Sequence, residues 1–292
     1  MAPADPPPRP MRRPGALMSG AAASGPPPPA PPSPGMTWRM DAGAYARLWA
    51  GLAAPARAAV ADALGLAPGV ALLDIGCGPG DFCALAIERG AKSSGLDLDP
   101  AMIALARTRT PSADLRVGSM DTLPWPDAAF DAVTASNVLQ FADTPARPLS
   151  EARRVLRPGG RLAICSWSPP RRNQVDLVES AVHAAIHGRR PTRAPQPLNQ
   201  PGVLDDLLRP AGFRPLSTAR IAVPFVAADQ DTLEAAFLAD SDPPPARREQ
   251  ARRAIIDAAA PFRRGDGSYR LENEFRVIVA TTVAPSPEPP PT

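Results

Sequence analysis

Lys92 is the sole lysine of this chain, and its other strongly basic residues are all arginine. Together with the abundance of Ala, Pro and Gly this reads as coding bias. A net charge of +3 falls short of a nucleic-acid platform, and no aromatics are interleaved with the arginines to stack on bases. Histidine occurs twice, at His183 and His187, which leaves few side chains that can carry a proton near neutral pH. The three cysteines, Cys77, Cys83 and Cys165, are odd in number and lack metal-ligand spacing. That excludes a disulfide framework and a zinc knuckle, and it implies free thiols in a cytoplasmic protein with no metal. No apolar run reaches the length of a secretion signal or a membrane span, because Pro and Gly interrupt every candidate. Neither a leader nor a membrane association is expected. No internal repeat is present.

Proline is abundant and uneven: of 41 residues, thirteen fall within 1–35 and five within 285–292. Runs such as Pro26–Pro29 can neither donate backbone hydrogen bonds nor bury much apolar surface. A disordered arm over 1–35 and a disordered tail over 284–292 are therefore expected, with one folded domain over 36–283. Its 44% of hydrophobic residues suffices for a core.

Within that domain, apolar spacing predicts a helix over 38–66, closed by Pro68-Gly69. Val70–Ile75 is a short apolar run of the kind buried on both faces of a parallel sheet. Strand and helix then alternate as far as Trp167, with strands at 92–97, 115–117, 130–136 and 161–167. Asp99-Pro100 opens one of the helices with an acidic cap and proline in its first turn. Such alternation with short connections implies a parallel sheet wrapped by helices. Beyond Trp167 the chain reads as helix over 174–187 and 201–211, a strand within 213–225, a mostly helical stretch over 232–262, and a last strand over 269–282.

The chemistry is concentrated after the first strand, in Asp74-Ile75-Gly76-Cys77-Gly78-Pro79-Gly80-Asp81. Glycine there lets a ligand approach the backbone, and the next helix offers free N–H groups to an anion. A dinucleotide loop would place its third glycine at 81, where this chain has aspartate. Asp97 ends the second strand and is placed to accept both hydroxyls of a ribose.

Two further segments complete a pattern: Val117-Gly118-Ser119-Met120-Asp121-Thr122-Leu123-Pro124-Trp125-Pro126-Asp127-Ala128-Ala129-Phe130-Asp131 and Leu156-Arg157-Pro158-Gly159-Gly160-Arg161-Leu162. With the glycine loop and Asp97 they resemble, over residues 70–167, the class I S-adenosylmethionine-dependent methyltransferases, in particular the ubiquinone/menaquinone-biosynthesis branch and its small-molecule relatives. The resemblance implies an α/β fold: a Rossmann-like, seven-stranded, mostly parallel sheet with helices on both faces and one antiparallel strand. Helical cap insertions would fall at 168–200 and 229–264. It implies that Asp74, Gly76, Cys77, Gly78, Pro79 and Gly80 hold the methionine end of S-adenosyl-L-methionine. Asp97 would take the ribose, Leu98 the adenine face, Ser119 and Met120 the adenine edge, and Ser136 and Asn137 the methionine amino group. The family carries aspartate where this chain has Ser119; the Ser119 hydroxyl and Asp121 are alternative acceptors for the adenine amino group. The activity implied is methyl transfer by in-line displacement to a small-molecule acceptor, in a monomer or homodimer. An NAD-linked oxidoreductase and a non-catalytic S-adenosylmethionine-binding protein are the alternatives.

Candidates for acceptor chemistry are few. His183 and His187 lie off the apolar stripe Val175, Val178, Val182 and Ile186, beside Asp176 and Glu179. A solvated polar face, a general base and, least, a metal cluster lacking the Glu-bearing zinc pattern are the readings of that pair. Tyr45 and Trp49, four residues apart in a helix, are read as core or as a cover over the cofactor and substrate. The arginines 247, 248, 252, 253, 263 and 264 are read as a solvated face, with an anionic substrate as the alternative and RNA, lacking interleaved aromatics, a distant third.

Overall fold

The computed structural model describes residues 40–189, 198, 200 and 202–283. The expected arm and tail, and the Pro-rich stretch 190–197, lie outside the described residues. The first helix, α1 (Ala42–Leu48), begins where the Asp41 carboxylate accepts from the Ala44 N–H at 2.8 Å. A 3₁₀ turn over Ala50–Ala53 leads into α2 (Ala54–Leu64). The single helix expected over 38–66 divides because Pro55 has no N–H for a continuing ladder and instead sits in the first turn of α2.

The alternating unit follows: β1 (Ala71–Ile75), α3 (Asp81–Glu88), β2 (Lys92–Asp97), α4 (Pro100–Arg109), β3 (Asp114–Val117), β4 (Phe130–Ser136), α5 (Ala146–Val155) and β5 (Leu156–Trp167). Asp99 caps α4 as expected, accepting from the Ala101 N–H. In β5 the segment Arg157–Gly160 bulges from the ladder: Leu156 pairs with Phe130, and pairing resumes at Arg161 with Ala132. The remainder comprises α6 (Val175–His187), α7 (Val203–Leu208), β6 (Phe213–Ala222), β7 (Phe225–Ala227), α8 (Gln230–Ser241), α9 (Arg248–Ala259), β8 (Tyr269–Leu271) and β9 (Glu274–Thr282).

Seven strands form one sheet in the order β3-β2-β1-β4-β5-β9-β6. Among them β9 runs antiparallel to both its neighbours. The last strand is shorter than its expected range, 269–282. Tyr269–Leu271 pairs with β7 in a separate two-stranded sheet, and Asn273 marks the break. The Asn273 amide donates to Leu271 O at 2.9 Å and accepts from the Val175 N–H at 3.1 Å, tying the break to the start of α6.

Alternation along the strands sends side chains to two cores. Leu72, Ala132, Ala163, Cys165, Val277 and Val279 face α2, α3, α6, α8 and α9. Leu73, Ile75, Val133, Leu162 and Ile278 face α5 and α7. Helices thus cover both faces, as the alternation predicted. The helices α6, α8 and α9 pack against one another, and α1 joins them through α8. They lie within the expected cap segments 168–200 and 229–264.

Candidate functional site

Parallel register aligns the motif residues along one edge of the sheet. Ile75 pairs with Leu96 and with Ala135, Asp97 with Val117, and Ser136 with Cys165. Gly76, Asp97, Val117 and Ser136 therefore stand side by side at the carboxyl ends of their strands. Strand order reverses between β1 and β4, the position at which open α/β sheets form a crevice.

The glycine loop is folded tightly against the sheet. The N–H groups of Gly76 and Cys77 both donate to Leu96 O, at 2.7 and 3.0 Å. Gly76 has φ +70°, and a Cβ there would come within 2.5 Å of Val138 Cγ2. Gly80, at φ +86°, opens α3 and lies where a Cβ would meet Ala106 Cβ at 3.0 Å. Both positions require glycine on backbone and steric grounds. Gly78 donates to Asp97 Oδ2 at 2.8 Å, and the Asp99 N–H donates to Oδ1 at 3.0 Å, so backbone groups fix the Asp97 carboxylate from two sides. Burial nonetheless raises its pKa, against the lowering by these bonds.

Asp74 lies fully inside, below the loop, and accepts from Thr134 Oγ1 at 2.5 Å. Burial pushes its carboxyl up to about 7; the Thr134 bond opposes this and Asp97 adds to it. The neighbouring Cys83 thiol, together with burial, pushes the Cys77 thiol up. At the foot of α3, Asp81 stands between Arg57 at 4.0 Å and Arg109 at 3.2 Å.

At the outer end of the edge, Leu98 and Val117 are exposed although large and apolar, at 44% and 41%. They make a hydrophobic ledge next to Asp97. The Asp121 N–H donates to Ser119 Oγ at 3.2 Å, so the two alternative adenine acceptors are coupled in one turn. At the β4 end, Asn137 adopts φ +50°, and its N–H donates to Cys165 O at 2.8 Å. Asn137 Oδ1 is buried with no hydrogen-bond partner among the described residues. A buried acceptor of this kind calls for a donor.

The structure brings Tyr45 to this group and takes Trp49 elsewhere. Tyr45 Cε1 lies 3.8 Å from where a Gly78 Cβ would be. Burial pushes its phenol up to about 12; Arg57 opposes that rise, and the carboxylates of Asp81, Asp97 and Asp74 add to it. Trp49 is buried against Phe225 at 4.9 Å and Phe237 at 5.4 Å, with its indole N–H donating to Ala236 O at 3.1 Å. His183 and His187, with ring centroids 4.4 Å apart and planes tilted by 47°, line a cleft of about 210 Å³ between α6 and α8 together with Glu179, Phe237 and Asp240. No residue of the glycine loop lines that cleft. Among the described residues no group of three or more His, Cys, Asp or Glu is placed to hold a metal ion, and no helix is long and apolar enough to cross a membrane.

Sequence reasoning missed Arg57 and Val138. Arg57 is one arginine among many on an alanine-rich helix, and nothing in its spacing sets it apart. Val138 could have been suspected only as the neighbour that forbids a side chain at Gly76.

Residues 73–164 match the family described as the methyltransferase domain. A demethylmenaquinone methyltransferase of Thermus thermophilus is 41% identical over 114 residues, which cover 37% of this chain and 51% of that protein. A malonyl-[acyl-carrier protein] O-methyltransferase of Serratia marcescens is 42% identical over 93 residues, covering 32% and 36%. The chain spans about half or less of the length of such curated relatives. A crystal structure of a Bacillus halodurans protein described as a methyltransferase covers 78% of this chain and 99% of its own, with a TM-score of 0.55 at 20% identity, which shows a shared fold.

Proposed function

We propose that this chain, whose segment 73–164 matches the methyltransferase-domain family, is a class I S-adenosylmethionine-dependent methyltransferase that transfers a methyl group to a small-molecule acceptor. The observation that carries the proposal is the alignment of the glycine loop, Asp97, the Leu98–Val117 ledge and Asn137 along one edge at the β1/β4 reversal.

The donors and acceptors fit the ligand in order. Asn137 Oδ1, buried without a partner, accepts from the methionine ammonium. The carboxylates of Asp74 and Asp97 make the loop a favourable place for a cation, and Asp97 accepts from the ribose hydroxyls. Leu98 and Val117 pack on the adenine, with Ser119, Met120 and Asp121 at its edge. Tyr45 closes over Gly78 from α1. Bound S-adenosylmethionine supplies an electrophilic methyl group. The protein's task is then to hold that group in line with the acceptor and to exclude water, and alignment of this sort contributes roughly 7–11 kcal/mol. A strongly nucleophilic acceptor needs no base, whereas a phenol or carbon acid does. His183 and His187 line a separate cleft and receive no role in this assignment.

An NAD-linked reaction is disfavoured by Asp81, a carboxylate in the first turn of α3 where a pyrophosphate would have to approach. Thermal unfolding with S-adenosylhomocysteine and with NADH separates the two. Ligand at 100 times its dissociation constant adds about 2.7 kcal/mol. Stabilisation by S-adenosylhomocysteine is expected, and stabilisation by NADH alone would overturn the proposal. Binding without turnover on a broad panel of quinol, phenol, amine and thioester acceptors would favour the non-catalytic binding protein.

A further inference from the structure

Between β3 and β4 the chain runs from Gly118 to Ala129 with neither helix nor strand to hold it. The segment carries Ser119, Met120 and Asp121, the adenine edge of the site proposed above. Its middle is held from β3, where Arg116 donates to Pro124 O and the Trp125 indole N–H donates to Asp114 Oδ2 at 2.9 Å, and the rest of its hold comes from α5. Glu151 Oε2 accepts from the Leu123 N–H at 2.8 Å. Arg154 donates to Leu123 O at 2.9 Å, to Trp125 O at 2.8 Å and to Asp127 Oδ1 at 2.9 Å. Glu151 also grips Arg154 bidentately, with Nε–Oε1 and Nη2–Oε2 both 2.8 Å, so the guanidinium plane is fixed before it meets the segment. Arg147 adds a bond to Asp121 O at 3.3 Å, and the Ala128 N–H donates to Arg154 O at 3.0 Å.

We infer that Glu151 and Arg154 are positioning residues for cofactor recognition, setting affinity and base preference at the adenine end through the 118–129 segment without touching the ligand. The inference rests on the function proposed above. A planar, five-donor guanidinium serves three segment acceptors and Glu151 at once, which an ammonium cannot do. Leu123 and Trp125, the residues whose carbonyls it takes, are anchored in the core below α5, with Trp125 edge-on to Phe130 at 5.7 Å. Loss of the clamp therefore loosens the stretch immediately beyond Ser119–Asp121.

The test measures binding of S-adenosylhomocysteine and of its hypoxanthine counterpart, S-inosylhomocysteine, to the wild-type chain and to the R154K, E151Q and D127N variants. R154K and E151Q are expected to bind S-adenosylhomocysteine about tenfold or more weakly and to lose most of the preference for adenine. D127N removes only the charge of the exposed arm of the network, Asp127 being 79% exposed, and is expected to stay within about twofold of wild type. A loss of global stability alone would leave the adenine-to-hypoxanthine ratio unchanged. Folded R154K and E151Q proteins that keep wild-type affinity and ratio overturn the inference, as does a wild-type chain that binds S-adenosylhomocysteine with no preference for adenine. Failure of the wild type to bind S-adenosylhomocysteine at all would overturn the function proposed above. The clamp itself is then read from amide exchange at Leu123, which is expected to accelerate in both variants; an unchanged rate overturns it.

Discussion

Burial places the Asp74 carboxyl at about 7 in the folded chain, against 3.8 for the free group. Between those values the native state holds more protons than the unfolded state, so stability falls as pH rises through that window and levels off above about 7. A rise of that size corresponds to ~4 kcal/mol. Asp74→Asn is expected to remove this dependence. Urea unfolding at pH 5 and pH 8 checks it: the wild type should lose stability relative to the variant, and parallel profiles would show that Asp74 is not the group concerned. A cationic ligand prefers the ionised carboxylate, so binding of S-adenosylmethionine is expected to tighten over the same range. Asp97→Ala should weaken S-adenosylhomocysteine binding at least tenfold, while His183→Ala leaves it within twofold; calorimetric titration of both variants decides, and equal losses would remove Asp97 from the ribose. Gly76→Ala drives a Cβ into Val138 at a left-handed φ and is expected to cost about 1–3 kcal/mol as well as cofactor binding. Gly76, Gly80 and Asp97 were legible in the sequence because their spacing encodes backbone requirements. Arg57 was not, since its importance depends on which acids tertiary packing gathers around it.

Elements were read well where local chemistry decides them and less well where packing does. The bounds 92–97 and 130–136 match β2 and β4, and Asp99-Pro100 starts α4. The Tyr45–Trp49 pair shows the other case. A spacing of four puts two side chains together only while the helix lasts, and α1 ends at Leu48, with Trp49 at φ −122°. Tyr45 consequently meets the glycine loop, while Trp49 turns into the aromatic cluster that joins α1 to α8 and β7. Trp49→Phe keeps most of that packing but removes the indole donor to Ala236 O, a carbonyl inside α8. It is expected to lower stability by about 0.5–1.5 kcal/mol with S-adenosylhomocysteine affinity unchanged within twofold. Guanidinium unfolding and titration of the same protein test both halves, and an affinity loss without a stability loss would place Trp49 at the ligand after all. The division of the last strand into β8 and β9 is held by Asn273 together with Asn173 and Gln174, bonded across nearly a hundred residues, contacts that no local pattern announces.

Across the whole folded unit, the motifs between residues 70 and 167 defined the parallel half of the sheet, and their order implied the crevice. The other half carried no motif, so its strand order emerged only from the ladder: β9 lies between β5 and β6, although β6 precedes it in sequence. Hydrogen exchange should rank the strands by this arrangement. β1, β4 and β5, each flanked on both sides, are expected to exchange slowest, and the edge strands β3 and β6 fastest; slow edges with fast centres would contradict the topology.

The place of β9 also bears on how the chain is made. Among the described residues β6 has no partner in the main sheet other than β9, and β5 lacks one flank until β9 arrives. During synthesis at roughly 5–20 residues per second, Trp167 would precede Glu274 out of the ribosome by roughly 5–20 seconds. For that interval a nascent chain holding all of the motif residues presents β5 as a bare, apolar edge. It is then open to pairing with the wrong strand or to capture by a chaperone, at a stage when its ligand-binding loop is already complete.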